Sequence, residues 1–373
     1  MKIKNLKLKN FRNYEELNIN LSDKLNIFIG DNAQGKSNIL ESIVVLALTK
    51  SYMNVKDKNL IKSGTSFSNI SASVDLGDTV DELFISFSEL EKKVKINNNL
   101  IKKYSDYISR VRFILFSPLD INLIKESPSS RRKFFNVEIS QLSNRYVKLM
   151  QNYNAVLKKR NQFLKKVVSV GKCDDFYLNV INEKFSTLAV DITMERLNFV
   201  NNINKKLRNI YKEITGDDGL VFNYNNSIEI SDDQVSMRNL FLNRLKNNFE
   251  KDKFYGMTLI GPHRDDYSLF LGGNDLSIYG SQGQNRVAIL SLKLSEIFMF
   301  KEITGDYPIL LLDDIFSELD INKRNRLVKY ILSDVQTIIT TTDLNMLDES
   351  LIEKAKIFKI SDGKIVVVDG KEG

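Results

Sequence analysis

Near the start of the chain apolar and polar residues alternate. Lys2–Leu8 reads as a half-exposed strand, and Leu25–Ile29 is a short apolar run that ends at Gly30. Residues 67–116 repeat strand-length runs, punctuated by turn residues at Gly77-Asp78 and Asn97–Asn99. From residue 131 the period changes to that of a helix. Leu142, Tyr146, Leu149, Tyr153 and Val156 form a heptad seam, which Arg160 interrupts before Phe163 and Val167 resume it. A break at Val170-Gly171-Lys172 follows, with Asp174 and Asp175 placed to cap the next helix. A second stripe then runs from Ile181 to Ile214, so two long helices joined by a short turn are expected. Residues 215–256 read as further helices after a turn at Gly216–Gly219. Strand character returns beyond 257. Pro308–Leu312 and Val335–Thr340 read as buried strands, and Ile357–Ile360 with Ile365–Val368 as a hairpin about Asp362-Gly363. The four prolines, Pro118, Pro128, Pro262 and Pro308, all fall outside the long helical stripes.

Composition narrows the class. With 373 residues, 42% apolar and 27% charged, the chain can bury a sizeable core, and its length suits about two domains. The single cysteine, Cys173, excludes internal disulfides and multi-Cys zinc sites. The single histidine, His263, excludes zinc sites built on several histidines. No signal-peptide pattern opens the chain and no apolar run approaches the ~18 residues of a membrane span, so a cytoplasmic protein without a membrane partner is expected. The net charge of +7 is unevenly spread. Residues 131–255 hold 22 Lys and Arg against 14 Asp and Glu, a net +8, which leaves −1 for the rest. Such a local excess suits either a polyanion partner or a solvated helix face.

Three segments carry chemistry. Gly30-Asp31-Asn32-Ala33-Gln34-Gly35-Lys36-Ser37 fits G-x-x-x-x-G-K-[ST] between a strand and a helical pattern. Its glycines let backbone N–H groups wrap phosphates, Lys36 neutralises β- and γ-phosphate oxygens, and Ser37 ligates Mg²⁺. Pro308–Leu312 ends in Asp313 and Asp314, at the strand end where such sheets bind ligands. Asp313 is expected to hold Mg²⁺, and Asp314 to activate a water against the γ-phosphate. Gly280-Ser281-Gln282-Gly283-Gln284 precedes a helical stretch, where a hydroxyl, N–H groups and a helix dipole can meet an anion. That segment resembles the signature motif of ABC-type ATPases, and Ser317-Glu318-Leu319-Asp320 resembles their D-loop.

Together these motifs resemble the RecF family of bacterial recombination-repair ATPases over nearly the full chain. Further matching stretches are Leu8–Tyr14, Asn38, Phe116-Ser117-Pro118 with Asp120, Arg131-Arg132, Gly261–Asp266 and Thr340–Asp343. The family often has Glu where Leu119 stands, and Thr342 occupies the position where most ABC ATPases place a γ-phosphate-sensing histidine. His263 lies elsewhere and reads as structural or as near the nucleotide through its loop.

The resemblance implies an α/β, ABC-type (SMC head-like) P-loop ATPase domain, residues 1–120 and 257–373, with an inserted helical arm lobe, 121–256, facing DNA. ATP and Mg²⁺ are the implied ligands. The implied cofactor-binding set is Gly30 to Asn38, Arg12, Ser281, Gly283, Gln284, Asp320 and Thr342. Lys36 and Asp314 are the implied catalytic pair, and Ser37 and Asp313 the metal ligands. For Arg12 a surface position is the competing reading. The implied mechanism is a switch. ATP joins two subunits on gapped or junction DNA, Ser281 and Gly283 of one meeting the γ-phosphate held by the other, and slow hydrolysis releases them. RecR, RecO and RecA are the implied partners. Asp314 is shorter than the usual Glu, which predicts weak turnover, below ~100 s⁻¹. Three alternatives compete: a transporter ATPase subunit, a defence-type SMC-like ATPase, and a DNA clamp that binds ATP without hydrolysing it.

Overall fold

The computed structural model describes the chain apart from residues 54, 232, 319–323, 325, 326, 329–334 and 370–373. Its elements, in chain order, are β1 (Lys2–Phe11), β2 (Tyr14–Asn20), β3 (Leu25–Ile29), α1 (Lys36–Leu48), β4 (Phe67–Asp75), β5 (Val80–Ser88), β6 (Lys92–Ile96), β7 (Asn99–Leu100) and β8 (Phe113–Phe116). There follow α2 (Pro128–Leu142), α3 (Asn144–Val170), α4 (Asp175–Thr215), β9 (Leu220–Asn225), α5 (Gln234–Asn247), α6 (Phe249–Tyr255), β10 (Asp266–Leu271), β11 (Asn274–Asp275) and α7 (Leu276–Tyr279). The last are α8 (Gln282–Thr304), β12 (Ile309–Asp313), β13 (Thr337–Thr341), β14 (Ala355–Ser361) and β15 (Lys364–Asp369). Two compact units emerge, Met1–Ile121 with Ile289–Gly373, and Asn122–Ala288.

The first unit holds two six-stranded sheets. One is antiparallel, in the order β2-β1-β4-β5-β6-β7. Its strands alternate inward apolar and outward polar residues, as in β4, where every second side chain is buried. The other sheet runs β15-β14-β3-β13-β12-β8, parallel except for β15 at its edge. β12 and β13 are buried at every position, which is why the sequence shows unbroken apolar runs there. One core joins Ile43 and Val44 of α1, Ile70 and Ile85 of the antiparallel sheet, and Phe28 and Ile338 of the parallel one. Each such side chain contributes about 1.5–3 kcal/mol through burial. The expected strands, their turns and the terminal hairpin are all present.

The second unit is built on the predicted helical hairpin. Ser143 starts α3 by accepting from the Tyr146 N–H, and Gly171, at φ 71°, ends it in the left-handed conformation. Asp174 then caps α4 by accepting from the Tyr177 N–H. Three expectations need correction. Leu142 closes α2 rather than opening the seam, because the chain breaks at Ser143. Residues 215–256 are not all helical: Leu220, Phe222 and Tyr224 alternate inward, and β9 pairs antiparallel with β10. That pairing draws the segment after 256 into the second unit and moves the end of the insertion to Ala288. Finally, Arg160 does not interrupt the buried stripe but belongs to it, fully buried beside Val156 and Leu164.

Candidate nucleotide site

The loop between β3 and α1 is shaped by backbone conformation and by side chains that brace it from outside. Gly35 adopts φ 107°, and a Cβ there would fall 2.3 Å from Asn13 Nδ2, so only glycine fits. Gly30 is equally tight, since a Cβ would sit 2.5 Å from the Ile360 carbonyl oxygen. Asn13 ties the loop together: its Nδ2 donates to the Gln34 carbonyl at 2.8 Å and its Oδ1 accepts from Asn38 Nδ2 at 2.8 Å. The Tyr14 hydroxyl donates to the Gly35 carbonyl at 3.1 Å. From the other end of the chain, the Asp362 N–H donates to Gln34 Oε1. Lys36 Nζ lies inside the loop, donating to the carbonyls of Gly30 at 2.6 Å and Asp31 at 2.8 Å. Burial pulls its pKa down, while Asp314, Asp31 and Asp313 counter that pull. Asp31, Asn32 and Ala33 are exposed at the loop's crest.

The acidic strand end meets this loop. Ser37 Oγ donates to Asp313 Oδ1 at 2.8 Å, across 276 positions of sequence. Thr340 Oγ1 donates to the same oxygen at 2.8 Å, and the Tyr52 hydroxyl lies 3.4 Å from Asp313 Oδ2. Parallel pairing explains the convergence, because β13 lies between β3 and β12 and sets all three strand ends level. Hydroxyl and carboxylate oxygens are the donors Mg²⁺ prefers, so Ser37 and Asp313 fit that ion. Asp314 takes a left-handed conformation, φ 49°, which costs a non-glycine residue about 1 kcal/mol. Its N–H donates to Thr340 Oγ1 at 3.1 Å, which holds that turn. Thr342 stands just past β13 and is half-buried.

Arg12 and the signature segment make hydrogen bonds of their own. Arg12 is held by α1: its Nε and Nη2 each lie 2.7 Å from a Glu41 oxygen, and its Nη1 donates to the Asn59 carbonyl. Glu41 is buried, so Arg12 is neither a loose surface arginine nor directed at the phosphate loop by any hydrogen bond. In the second unit, Ser281 and Gln284 cap α8 reciprocally. Ser281 Oγ accepts from the Gln284 N–H at 3.2 Å, and Gln284 Oε1 accepts from the Ser281 N–H at 2.9 Å. Ser281, Gln282, Gly283 and Gln284 are all exposed. Asp320 lies outside the described residues.

Residues 2–365 match the family model described as RecF/RecN/SMC N terminal domain. The chain belongs to this family.

Its relatives include the DNA replication and repair protein RecF of Clostridium botulinum (strain Eklund 17B / Type B), 42% identical over 98% of this chain and 100% of the relative. The RecF of Ligilactobacillus salivarius (strain UCC118) is 39% identical over 98% of this chain and 97% of its own. A solved structure of the recombination mediator protein RecF with ATP in the RecFOR pathway superposes with a TM-score of 0.92 at 32% identity, covering 99% of this chain and 98% of that one. An SMC head bound to the C-winged helix domain of ScpA shares the fold, with a TM-score of 0.56 at 15% identity, over 100% of this chain and 98% of that one. The RecF resemblance, the ABC-type ATPase fold and the recombination-repair function expected from the sequence therefore stand, and the transporter and defence alternatives are not favoured. Among the described residues no helix is long and apolar enough to cross a membrane.

Three residues of the RecF-like site escaped the sequence reading. Asn13 sits in a stretch that matches the family but carries no motif of its own, and its partners are more than 20 positions away. Thr340 was visible as a strand residue, yet only the parallel register shows that it bonds to Asp313. Tyr52 follows α1 with no pattern to mark it.

Proposed function

We propose that the chain is an ATP-driven DNA-repair switch of the RecF type. The observation that carries this reading is the 2.8 Å contact between Ser37 and Asp313, which joins the phosphate loop to the acidic strand end. Gly30 to Asn38 cradle the nucleotide phosphates, with Lys36 as their cation. Ser37 and Asp313 would hold Mg²⁺, which supplies charge neutralisation at the β- and γ-oxygens. Asp314 orients and deprotonates the attacking water, and its short side chain keeps hydrolysis slow. Arg12 acts at one remove, by fixing Glu41 and the first turns of α1.

Dimerisation follows from the signature segment. Ser281, Gln282 and Gly283 are exposed at the start of α8, where a hydroxyl and a helix N-terminus suit a γ-phosphate carried by a second copy. Ile278 and Tyr279, each 71% exposed beside it, offer apolar area for the same contact. Asp320 and Thr342 complete the proposed set. Cooperation with RecR and RecO in loading RecA, a preference for gapped or junction DNA, and a cytoplasmic location belong to this proposal.

The test is DNA binding to a gapped duplex, with and without ATP, across a salt series. The parent should gain affinity with ATP and lose it with salt. Lys36→Ala should abolish the ATP effect by removing ATP binding. Ser281→Arg should retain ATP and lose the ATP-dependent dimer, and a variant that still dimerises would refute the assignment across the interface.

A further inference from the structure

A groove of about 400 Å³ runs along α3, lined by Asn154, Leu157, Lys158, Asn161, Gln162 and Lys165. These positions recur at three- and four-residue spacing and so share one helix face. The segment after α6 lies against that face. Asn161 Oδ1 accepts from the Thr258 N–H at 2.8 Å, and a Cβ on Gly256 would stand 3.1 Å from Lys165 Cγ. Immediately before Gly256, Phe254 is 81% exposed and Tyr255 60% exposed. Their rings stand 5.1 Å apart and nearly perpendicular, at 88°. Contiguous exposed apolar area of this kind is characteristic of interaction surfaces. They are also firmly based: Arg160 and Asp252 form a fully buried ion pair at 2.7 Å that pins α6 to α3. Around the groove, residues 155–172 contain six basic residues and no acid, and all but Arg160 of the six are exposed.

We propose that this face of the arm binds single-stranded nucleic acid. Phe254 and Tyr255 stack on bases, Lys158 and Lys165 meet the phosphates, and the amides of Asn154 and Gln162 reach sugar or base edges. The combination decides the ligand. A duplex offers phosphates but no open base faces, and an acidic peptide without apolar side chains would use the lysines and leave the rings idle. The inference rests on the DNA-repair reading above, and it places single-strand contacts on the arm, in a different unit from the phosphate loop.

The chain has no tryptophan, so Phe254→Trp installs a sole indole reporter in the full-length protein. It is titrated, without nucleotide, with an oligothymidylate of about 12 nucleotides, within the usual single-strand site size, and with a duplex of equal length. The single strand should quench the indole and the duplex should not. The double variant Phe254→Ala/Tyr255→Ala should bind the single strand about tenfold more weakly while keeping its melting temperature and its ATP binding. Equal quenching by both DNAs overturns the proposal, as does unchanged single-strand affinity in the double variant. Quenching by RecR or RecO but not by the oligonucleotide also overturns it and assigns the face to protein. None of these failures touches the ATP switch, whose loss would show instead in the gapped-duplex assay.

Discussion

The two units handle charge in opposite ways. Met1–Ile121 with Ile289–Gly373 carries 29 basic and 29 acidic residues, whereas Asn122–Ala288 carries 25 and 18, so the entire net +7 belongs to the second. Yet the balanced unit holds the chemistry of the site, and the basic unit hides part of its charge. Arg160 and Arg196 are both fully buried. Arg160 pairs with Asp252 and also bonds to Asn182 and Thr258. Arg196 donates to the Pro262 carbonyl at 2.7 Å and lies 4.0 Å from Asp265. Arg131 Nε and Nη2 each donate to an oxygen of Asp266. A charge count along the chain thus overstates what a polyanion meets. Lysines of the arm such as Lys158 and Lys165 stay exposed, and several of its arginines hold the unit together.

The largest effect expected from breaking this division is at Arg160. Arg160→Ala strands Asp252 in the interior and should cost about 3–5 kcal/mol. Calorimetry should show the loss in one of two transitions, with ATP binding intact. A double change, Arg160→Met with Asp252→Leu, should recover most of it. If Arg160→Ala leaves stability unchanged, the pair is not structural.

His263 comes next. Its Nε2 donates to the Thr258 carbonyl and its Nδ1 accepts from the Tyr153 hydroxyl, while burial lowers its pKa from 6.5 to about 4. The unfolded chain binds a proton between those values that the folded chain refuses. The stabilisation is therefore complete above pH 6.5 and is lost as pH falls toward 4, by about 3 kcal/mol in all. Denaturant unfolding at a series of pH values should show that slope, and His263→Gln should flatten it.

In the balanced unit, Asn13→Ala removes two braces from the phosphate loop. It should weaken ATP binding about tenfold, on the order of 1–1.5 kcal/mol, with little change in melting temperature. Calorimetric titration with ATP measures this. The smallest effect is at Lys158. Lys158→Ala should reduce the salt dependence of DNA binding by about one phosphate contact and leave stability alone. A melting shift there as large as at Arg160 would erase the contrast between exposed and buried cations.

The contrast also explains what the sequence could disclose. A phosphate loop is legible because one short segment supplies every feature, from Gly30 to Ser37. The strand ending at Asp313 is legible because burial on both faces imposes an apolar run. Arg160 was misread because a buried arginine and an exposed one look alike in one dimension. What separates them is a carboxylate 92 positions away. β9 was missed although Leu220, Phe222 and Tyr224 alternate, because the helices on both sides set the expectation. Asn13 and Thr340 became visible only through strand register.

One feature of the loop bears on how the protein is made. Gln34 leaves the ribosome 328 residues before Asp362, whose N–H closes on it, and Gly30 likewise precedes the Ile360 carbonyl that it packs against. A nascent chain carries the whole nucleotide motif long before it can shape it. A product that terminates before Ile360 lacks the backbone that brackets Gly30 and Gln34, and should hold ATP more weakly than the full chain.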